Sequence, residues 1–425
     1  MSKQSETLVK KTDAEYVLEF CVELSRRMIL SGANLERVQL AVARICHVYD
    51  LEDVSLFLLS DNITLSALDS AGRFAIRHCS IPPAGIHLGR LKALNDLSFS
   101  VAAKKPAPTK LRALLVEASR VRERPDWAVL LGQVMALSCL SLIFGGGLRE
   151  LIAVALAAVA LHYVLIAAAR PVLGRMVTNA LSMYLATLVV ILLMRTGLSQ
   201  NGPVILITLS MLVIPGIPLV NAVRNLLCGN EMNGILQLAK VCIETLALAM
   251  GIYLALLMFG LRDGMRDAVV TPLSNPFLLV PISFVASASF GAVFRIPTKD
   301  LWLAGVGGAL TRIALLILAP LVPQRLVYVT LSALVAALFA ELLATARRDP
   351  STYFVYPAIV PLIPGDLFYY ALVGLYIGDR QLMSSSALNC LLTLLGMSIG
   401  FVLSSIIAHY VRKMRHLKAT GKRND

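Results

Sequence analysis

Apolar and polar positions alternate on two different scales along this chain. Over residues 13–31 apolar side chains recur at helical spacing (Val17, Leu18, Cys21, Leu24, Met28), and the pattern closes at Gly32. A second helix is predicted from Asn34 as N-cap through Val38, Ala41, Val42 and Ile45 to Tyr49. Three β-rich runs follow at 54–59, 63–68 and 74–79, with Asp61-Asn62 and Ser70-Ala71-Gly72 as turns, and helical spacing resumes at 87–100 and 109–121. After Trp127 the scale changes to long apolar runs at 128–145, 150–169, 176–194, 203–220, 233–260, 277–294, 301–322, 325–345, 355–377 and 386–410. Each approaches or exceeds the ~20 residues that cross a bilayer. The pattern predicts an α-helical polytopic membrane protein with ten transmembrane helices behind a small N-terminal soluble α/β domain.

Two of these runs carry the same interruption. Leu212-Val-Ile-Pro-Gly-Ile-Pro-Leu-Val-Asn221 and Ile359-Val-Pro-Leu-Ile-Pro-Gly-Asp-Leu-Phe368 each place Ile-Pro-Gly inside an apolar segment. Proline removes a helix hydrogen bond, so both segments are expected to kink or break there. In lipid the freed backbone groups need partners, so such a break belongs inside protein or beside a wet cavity. Interrupted spans at matching places in two halves point to a transporter's substrate site.

Composition agrees with the pattern: 57% of the 425 residues are hydrophobic and 15% are charged. A formal charge of +13 raises the question of nucleic acid, but the cations sit before the first span, in short loops and in the tail from Arg412 to Arg423. Topology control and anionic lipid account for them, and no nucleic-acid partner is expected. With the N-terminus inside, Arg170, Arg175, Arg224, Arg295, Lys299, Arg347 and Arg348 fall on inner loops, which predicts both termini in the cytoplasm. Residues 1–11 are polar without an apolar stretch, so no cleaved signal peptide is expected. Seven scattered cysteines without a Cys-x-x-Cys pair argue against a zinc site or a disulfide framework. No metal or cofactor is expected.

The runs also divide into halves, 126–260 and 261–425, behind a domain at 1–125. Phe144-Gly-Gly-Gly-Leu-Arg149 matches Phe290-Gly-Ala-Val-Phe-Arg295 at an offset of 146, and the two Ile-Pro-Gly sites match at 149. Five spans per half is an odd number, so the second half would sit upside down. An inverted 5+5 repeat is the expectation, an architecture suited to alternating access.

These residues resemble the threonine/serine exporter family. Ser31-Gly-Ala-Asn-Leu-Glu-Arg-Val38 is similar to its N-terminal signature, and Pro215-Gly-Ile-Pro-Leu-Val-Asn-Ala-Val-Arg224 and Pro361-Leu-Ile-Pro-Gly365 to its two membrane Pro-Gly motifs. The likeness covers nearly the whole chain, as a fusion of two parts that some members carry separately. It implies a secondary transporter or antiporter of the cell inner membrane that exports threonine and serine, or small dicarboxylates in split members, driven by the proton gradient. The chain departs from the pattern where the family looks acidic after Arg224 and after the next glycine, with Asn225 and Asn230 here. It also has Asn34-Leu35 where the signature more often reads Glu-Thr.

Ionisable residues inside spans are costly and mark function. Glu244, Arg312 and His162 fall near mid-membrane, and Asp366 follows the second Pro-Gly. A zwitterion needs an anion for its ammonium, for which Glu244 and Asp366 are candidates. Its carboxylate needs a cation or a helix N-terminus, which Arg312 or a half-helix would supply. Pro215, Gly216, Pro364 and Gly365 are expected to line the cavity, with Arg224, Asn221, Asn225, Asn230, Tyr369 and Tyr370 adding contacts. Glu244, Asp366 and His162 are the candidates for proton coupling. Plainer readings stand beside these: an internal Arg312–Glu244 bridge, Arg224 as a topology charge, and His162 as a satisfied core histidine.

The soluble domain carries a rival reading as an enzyme, with His78, Cys79 and His87 near Asp50, Glu52 and Asp53. It has no nucleophile elbow, phosphate loop or metal spacing. A regulatory or gating module is preferred, with homo-oligomerisation a further role.

Overall fold

The computed structural model describes residues 12–59, 62–69, 71–82, 85–121, 124–168, 174–260 and 272–421, with side chains as far as Val411. The polar lead, parts of both strand turns, the loop cations Arg122, Arg170, Arg262 and Arg266, and the side chains of the basic tail lie outside the described residues. The chain forms two compact units, 1–123 and 124–425.

In the first unit, α1 (Asp13–Leu30) opens on a capping box. The Thr12 side chain accepts from the Glu15 amide, and the Glu15 carboxylate accepts from the Thr12 amide. The helix stops where Gly32 takes φ +97°, and Asn34 caps α2 (Leu35–Val48) by accepting from Arg37 N. An antiparallel sheet in the order β1 (Glu52–Leu59), β2 (Asn62–Leu68), β3 (Phe74–Ser80) follows, then α3 (Leu88–Lys104) and α4 (Leu111–Ser119). Ile63, Leu65 and Ala67 are buried on one face of β2, and α1 packs against β2 and β3. An Arg77–Glu15 ion pair of 3.0 Å ties β3 to α1.

The second unit is helical: α5 (Asp126–Ile143), α6 (Leu148–Ala168), α7 (Arg175–Arg195), α8 (Gly202–Val213), α9 (Gly216–Leu227) and α10 (Glu231–Met258). After the connection come α11 (Pro276–Val293), α12 (Leu301–Leu321), α13 (Arg325–Arg347), α14 (Ser351–Ala358), α15 (Gly365–Ile377) and α16 (Arg380–Gly421). Nine stretches among the described residues are long and apolar enough to cross a membrane, and α8 with α9, bent by 58°, would make a tenth. The predicted class holds: a polytopic helical membrane protein with a small sheet near its N-terminus. The broken second segment begins at Ser351 rather than 355, and the last helix begins at Arg380 rather than 386.

Element starts repeat through the second unit. Asp126 and Pro276, Arg175 and Arg325, Gly202 and Ser351, Gly216 and Gly365, and Glu231 and Arg380 are paired at offsets of 149 or 150. Leu148 of α6 pairs in the same way with Thr298, where a 3-10 turn leads into α12. Phe144 corresponds in the structure to Phe294 and not to Phe290. Phe290 lies inside α11, whereas Phe144 ends α5, and the residue that ends α11 is Phe294. Both ends close by the same 6→1 bond, Gly146 N to Ser141 O at 2.8 Å and Ile296 N to Gly291 O at 2.9 Å. The left-handed residue is Gly145 in one and Arg295 in the other.

Helix pairing repeats as well. A Cβ on Gly251 of α10 would strike the Ala180 carbonyl of α7, and one on Gly400 of α16 would strike the Thr330 carbonyl of α13. α5 and α11 pack together in opposite directions. Gly132 of α5 lies against Ala292 near the end of α11, while Leu273, just before α11, donates to Ile143 O at the end of α5 at 2.9 Å. An acid stands at the same place in each half. Glu150 accepts from Gly147 N and Ser199 Oγ, and buried Asp300 pairs with Arg347 at 2.7 Å and accepts from the Tyr353 hydroxyl at 2.8 Å.

Candidate functional site

The two Ile-Pro-Gly segments have one backbone shape. Ile214 and Ile363 are extended (φ/ψ −60°/123° and −61°/119°), and Pro215 and Pro364 follow at −76°/66° and −82°/51°. The Gly216 amide donates to Ile214 O at 2.8 Å and the Gly365 amide to Ile363 O at 2.9 Å. These are inverse γ-turns, which satisfy part of what each helix break frees. Each turn then starts a new helix, α9 or α15.

The two breaks also press on one another. A Cβ on Gly216 would lie 2.7 Å from Ile363 Cγ2, and one on Gly365 would overlap the Met211 sulfur. Glycine is needed at both places because each bare backbone receives a side chain from the other broken segment. Asn221 on α9 extends the junction by donating to the Tyr356 hydroxyl of α14 at 3.0 Å.

Charge is distributed unequally between the two matching segments. Asp366, in the first turn of α15, accepts from the Leu367 backbone and lies within electrostatic reach of Arg312 and Arg325. Neither guanidinium forms an ion pair with it among the described residues. Arg312 Nε donates to Ser283 Oγ at 2.9 Å, and Arg325 Nη1 to Thr393 Oγ1 at 3.4 Å. The field of Asp366 also reaches Tyr370 and Cys390, and the Cys390 thiol points at the Pro364 carbonyl. The residue matching Asp366 in the first half is Ile217, so α9 begins with no carboxylate and no side-chain cap.

The remaining candidates sit elsewhere in the frame. His162 is buried against Gln133 at 2.7 Å, the same pair of positions that Arg312 and Ser283 occupy in the second half. Glu244 faces Arg175 at 3.9 Å, matching Thr393 and Arg325. The internal Arg312–Glu244 bridge is therefore absent, since each has a different partner. Asn225 donates to Gln237 Oε1 on α10 at 3.2 Å, a tie between neighbouring helices. Asn230 precedes α10 and its amide donates to Asn225 O, while Arg224 is half-buried in the last turn of α9. Tyr369 is buried with its hydroxyl unbonded, and its ring meets that of Tyr370 edge-on at 5.8 Å.

Arg325, Tyr356 and Ser283 were not singled out from the sequence. Arg325 stood as the first residue of a predicted span, although its offset of 150 from Arg175 was available. In the first unit His78 bonds Thr64 on the open sheet face, while His87 caps α3 by accepting from Arg90 N. The two histidines thus serve separate structural contacts. No cluster of three or more metal-ligating side chains occurs among the described residues.

A sequence profile of the threonine/serine exporters matches residues 19–259, more than half of the chain, and a second profile of the same exporters matches residues 280–407. The chain belongs to the threonine/serine exporter family. It is a multi-pass membrane protein, and the family is one of transporters rather than enzymes. A Mycobacterium tuberculosis relative named "Probable threonine/serine exporter" is 22% identical over 416 residues, 93% of this chain and 77% of its own length. Two relatives are named "Probable succinate transporter subunit YjjP". The Escherichia coli (strain K12) protein is 29% identical over 139 residues, 32% of this chain and 54% of its own. The Klebsiella aerogenes protein is 20% identical over 253 residues, 59% of this chain and 97% of its own. The chain thus spans about half the length of the E. coli relative it matches. No solved structure matches the chain.

Proposed function

We propose that this exporter-family member is a secondary active, proton-coupled exporter of small polar metabolites, with L-threonine and L-serine the first substrates. It works by alternating access about the two broken helices, within an inverted 5+5 repeat whose N- and C-termini face the cytoplasm. The observation that carries the reading is the junction itself. Two identically shaped breaks touch, one opening a helix with Asp366 in its first turn and the other opening a helix without an acid. Such a site offers opposite charges to the two ends of a zwitterion. Asp366 takes the ammonium, and Arg312 or the bare start of α9 takes the carboxylate. Asp366 is also the proposed proton carrier, because protonating it releases the ammonium and leaves Arg312 and Arg325 uncompensated.

A second reading is favoured by that same surplus of cations and by the succinate-transporter relatives. A dicarboxylate would be held by Arg312 and Arg325 when Asp366 is neutral. The experiment that separates them is efflux of labelled threonine, serine and succinate from proteoliposomes with and without a pH gradient. Gradient-dependent loss of the hydroxy amino acids is expected; loss of succinate alone changes the substrate, and no flux of any overturns the proposal. Asp366→Asn is expected to abolish stimulation by the gradient, and retained stimulation removes Asp366 from coupling.

A further inference from the structure

A narrow apolar cleft lies between α10 and α15, and its atom-free space reaches about 450 Å³ only when the open solvent at its mouth is counted. Ala249 and Ile252 of α10 and Val373 of α15 line it, and so do Ile214 of the first break and Tyr369 just past the second. An occupant would therefore touch the first break and the helix that follows the second. No charged side chain and no amide side chain lines the space. A zwitterion or dicarboxylate would find nothing to offset its desolvation there, and water is a poor filling for an apolar wall. The Tyr376 hydroxyl already bonds Leu246 O at 3.3 Å. The hydroxyls of Tyr253 and Tyr369 are the other polar points of an otherwise apolar lining, so an occupant is held mainly by dispersion.

What surrounds the mouth identifies the occupant. α10 is a candidate membrane span and α15 forms most of another, and Leu254 and Leu257 on α10 and Leu375 on α15 are half exposed on their outer faces. With those helices in a bilayer, the medium beside their exposed leucines is hydrocarbon. We infer that the cleft is a lipid site, in which one acyl chain of a bilayer lipid lies between α10 and α15 against the first Pro-Gly break and the helix that follows the second. Selection is by the chain and not by the headgroup, since the lining offers no charge for a headgroup. The inference needs only that these helices cross the membrane; it stands apart from the identity of the transported solute.

The test uses the full chain reconstituted into phosphatidylcholine vesicles containing a phosphatidylcholine with a diazirine far down its acyl chain. After illumination the labelled residues are mapped by mass spectrometry. Label is expected on the buried lining residues Ile252 and Val373 as well as on exposed Leu257 and Leu375; label on the exposed leucines alone overturns the inference. Ala249→Phe, which narrows the cleft, is expected to cut labelling at Val373 several-fold while Leu375 stays unchanged. Equal labelling of Val373 in this variant and the parent overturns it. Millimolar threonine or succinate is expected to leave the pattern unchanged, and displacement of the label by either would make the cleft part of the solute path instead.

Discussion

Gly216 and Gly365 hold matching positions, yet their neighbours differ in stiffness. Gly216 faces branched Ile363, whose rotamers are restricted, whereas Gly365 faces Met211, an unbranched side chain that moves aside. Gly216→Ala is expected to cost ~1–3 kcal/mol by overpacking and to lower the thermal unfolding midpoint. Gly365→Ala is expected to lower it less, and the two midpoints measured side by side check the order. At the other end of the chain, Asp69 accepts from the amides of Arg73 and Ala71 and from the Arg73 guanidinium. The Arg73 amide first, and then these other donors, hold its carboxyl below the usual range. Its folded-state value is thus depressed. The contact contributes fully above the ordinary aspartate value of ~3.9 and is lost as pH falls through the lower folded value. Amide exchange at Ala71 and Arg73 is expected to accelerate only in that acid window.

Among the elements, the buried Asp300 joins three pieces of backbone: the turn before α12, the end of α13 through Arg347, and α14 through Tyr353. Asp300→Ala leaves the buried Tyr353 hydroxyl without its acceptor and releases the exposed Arg347, and is expected to cost ~1–3 kcal/mol. Asp300→Asn keeps one acceptor and is expected to fall between, in the same thermal unfolding measurement. This contact shows where sequence reading stops. Each span was legible because ~20 apolar residues have no other stable place, and Asn34 and Gly32 announced the first helix junction by their chemistry. Asp300 was not legible as a ligand of Arg347, because the pairing depends on three elements meeting in space. The same holds at the candidate site. Pro-Gly in an apolar run signals a break from two residues alone, and Asp366 stood out as an acid beside it. Arg325 lay at a helix start, where a cation has a topological explanation, and only the placement of Asp366 within its reach changes that. The error with Phe144 and Phe290 has a physical origin too: Phe-Gly recurs within one turn, and only the helix end tells Phe290 from Phe294.

At the scale of the molecule, one profile of the family ends at residue 259 and the second begins at residue 280. The chain is therefore expected to tolerate a cut between α10 and α11. Residues 1–260 and 261–425 expressed together are expected to recover transport in proteoliposomes, and either piece alone to give none. Recovery by one piece would mean that the other half is dispensable for the path.

The paired glycine contacts have a mechanical consequence. Ile363 sits against Gly216 while the Met211 sulfur sits against Gly365, so neither broken segment swings without moving what its partner leans on. Such a joint behaves as a pair of meshed teeth with one coordinate rather than two free hinges. In an exporter, opening both sides at once would require both teeth to disengage together. On the proposed alternating-access reading, a tighter mesh is expected to suppress slippage of solute back down its gradient.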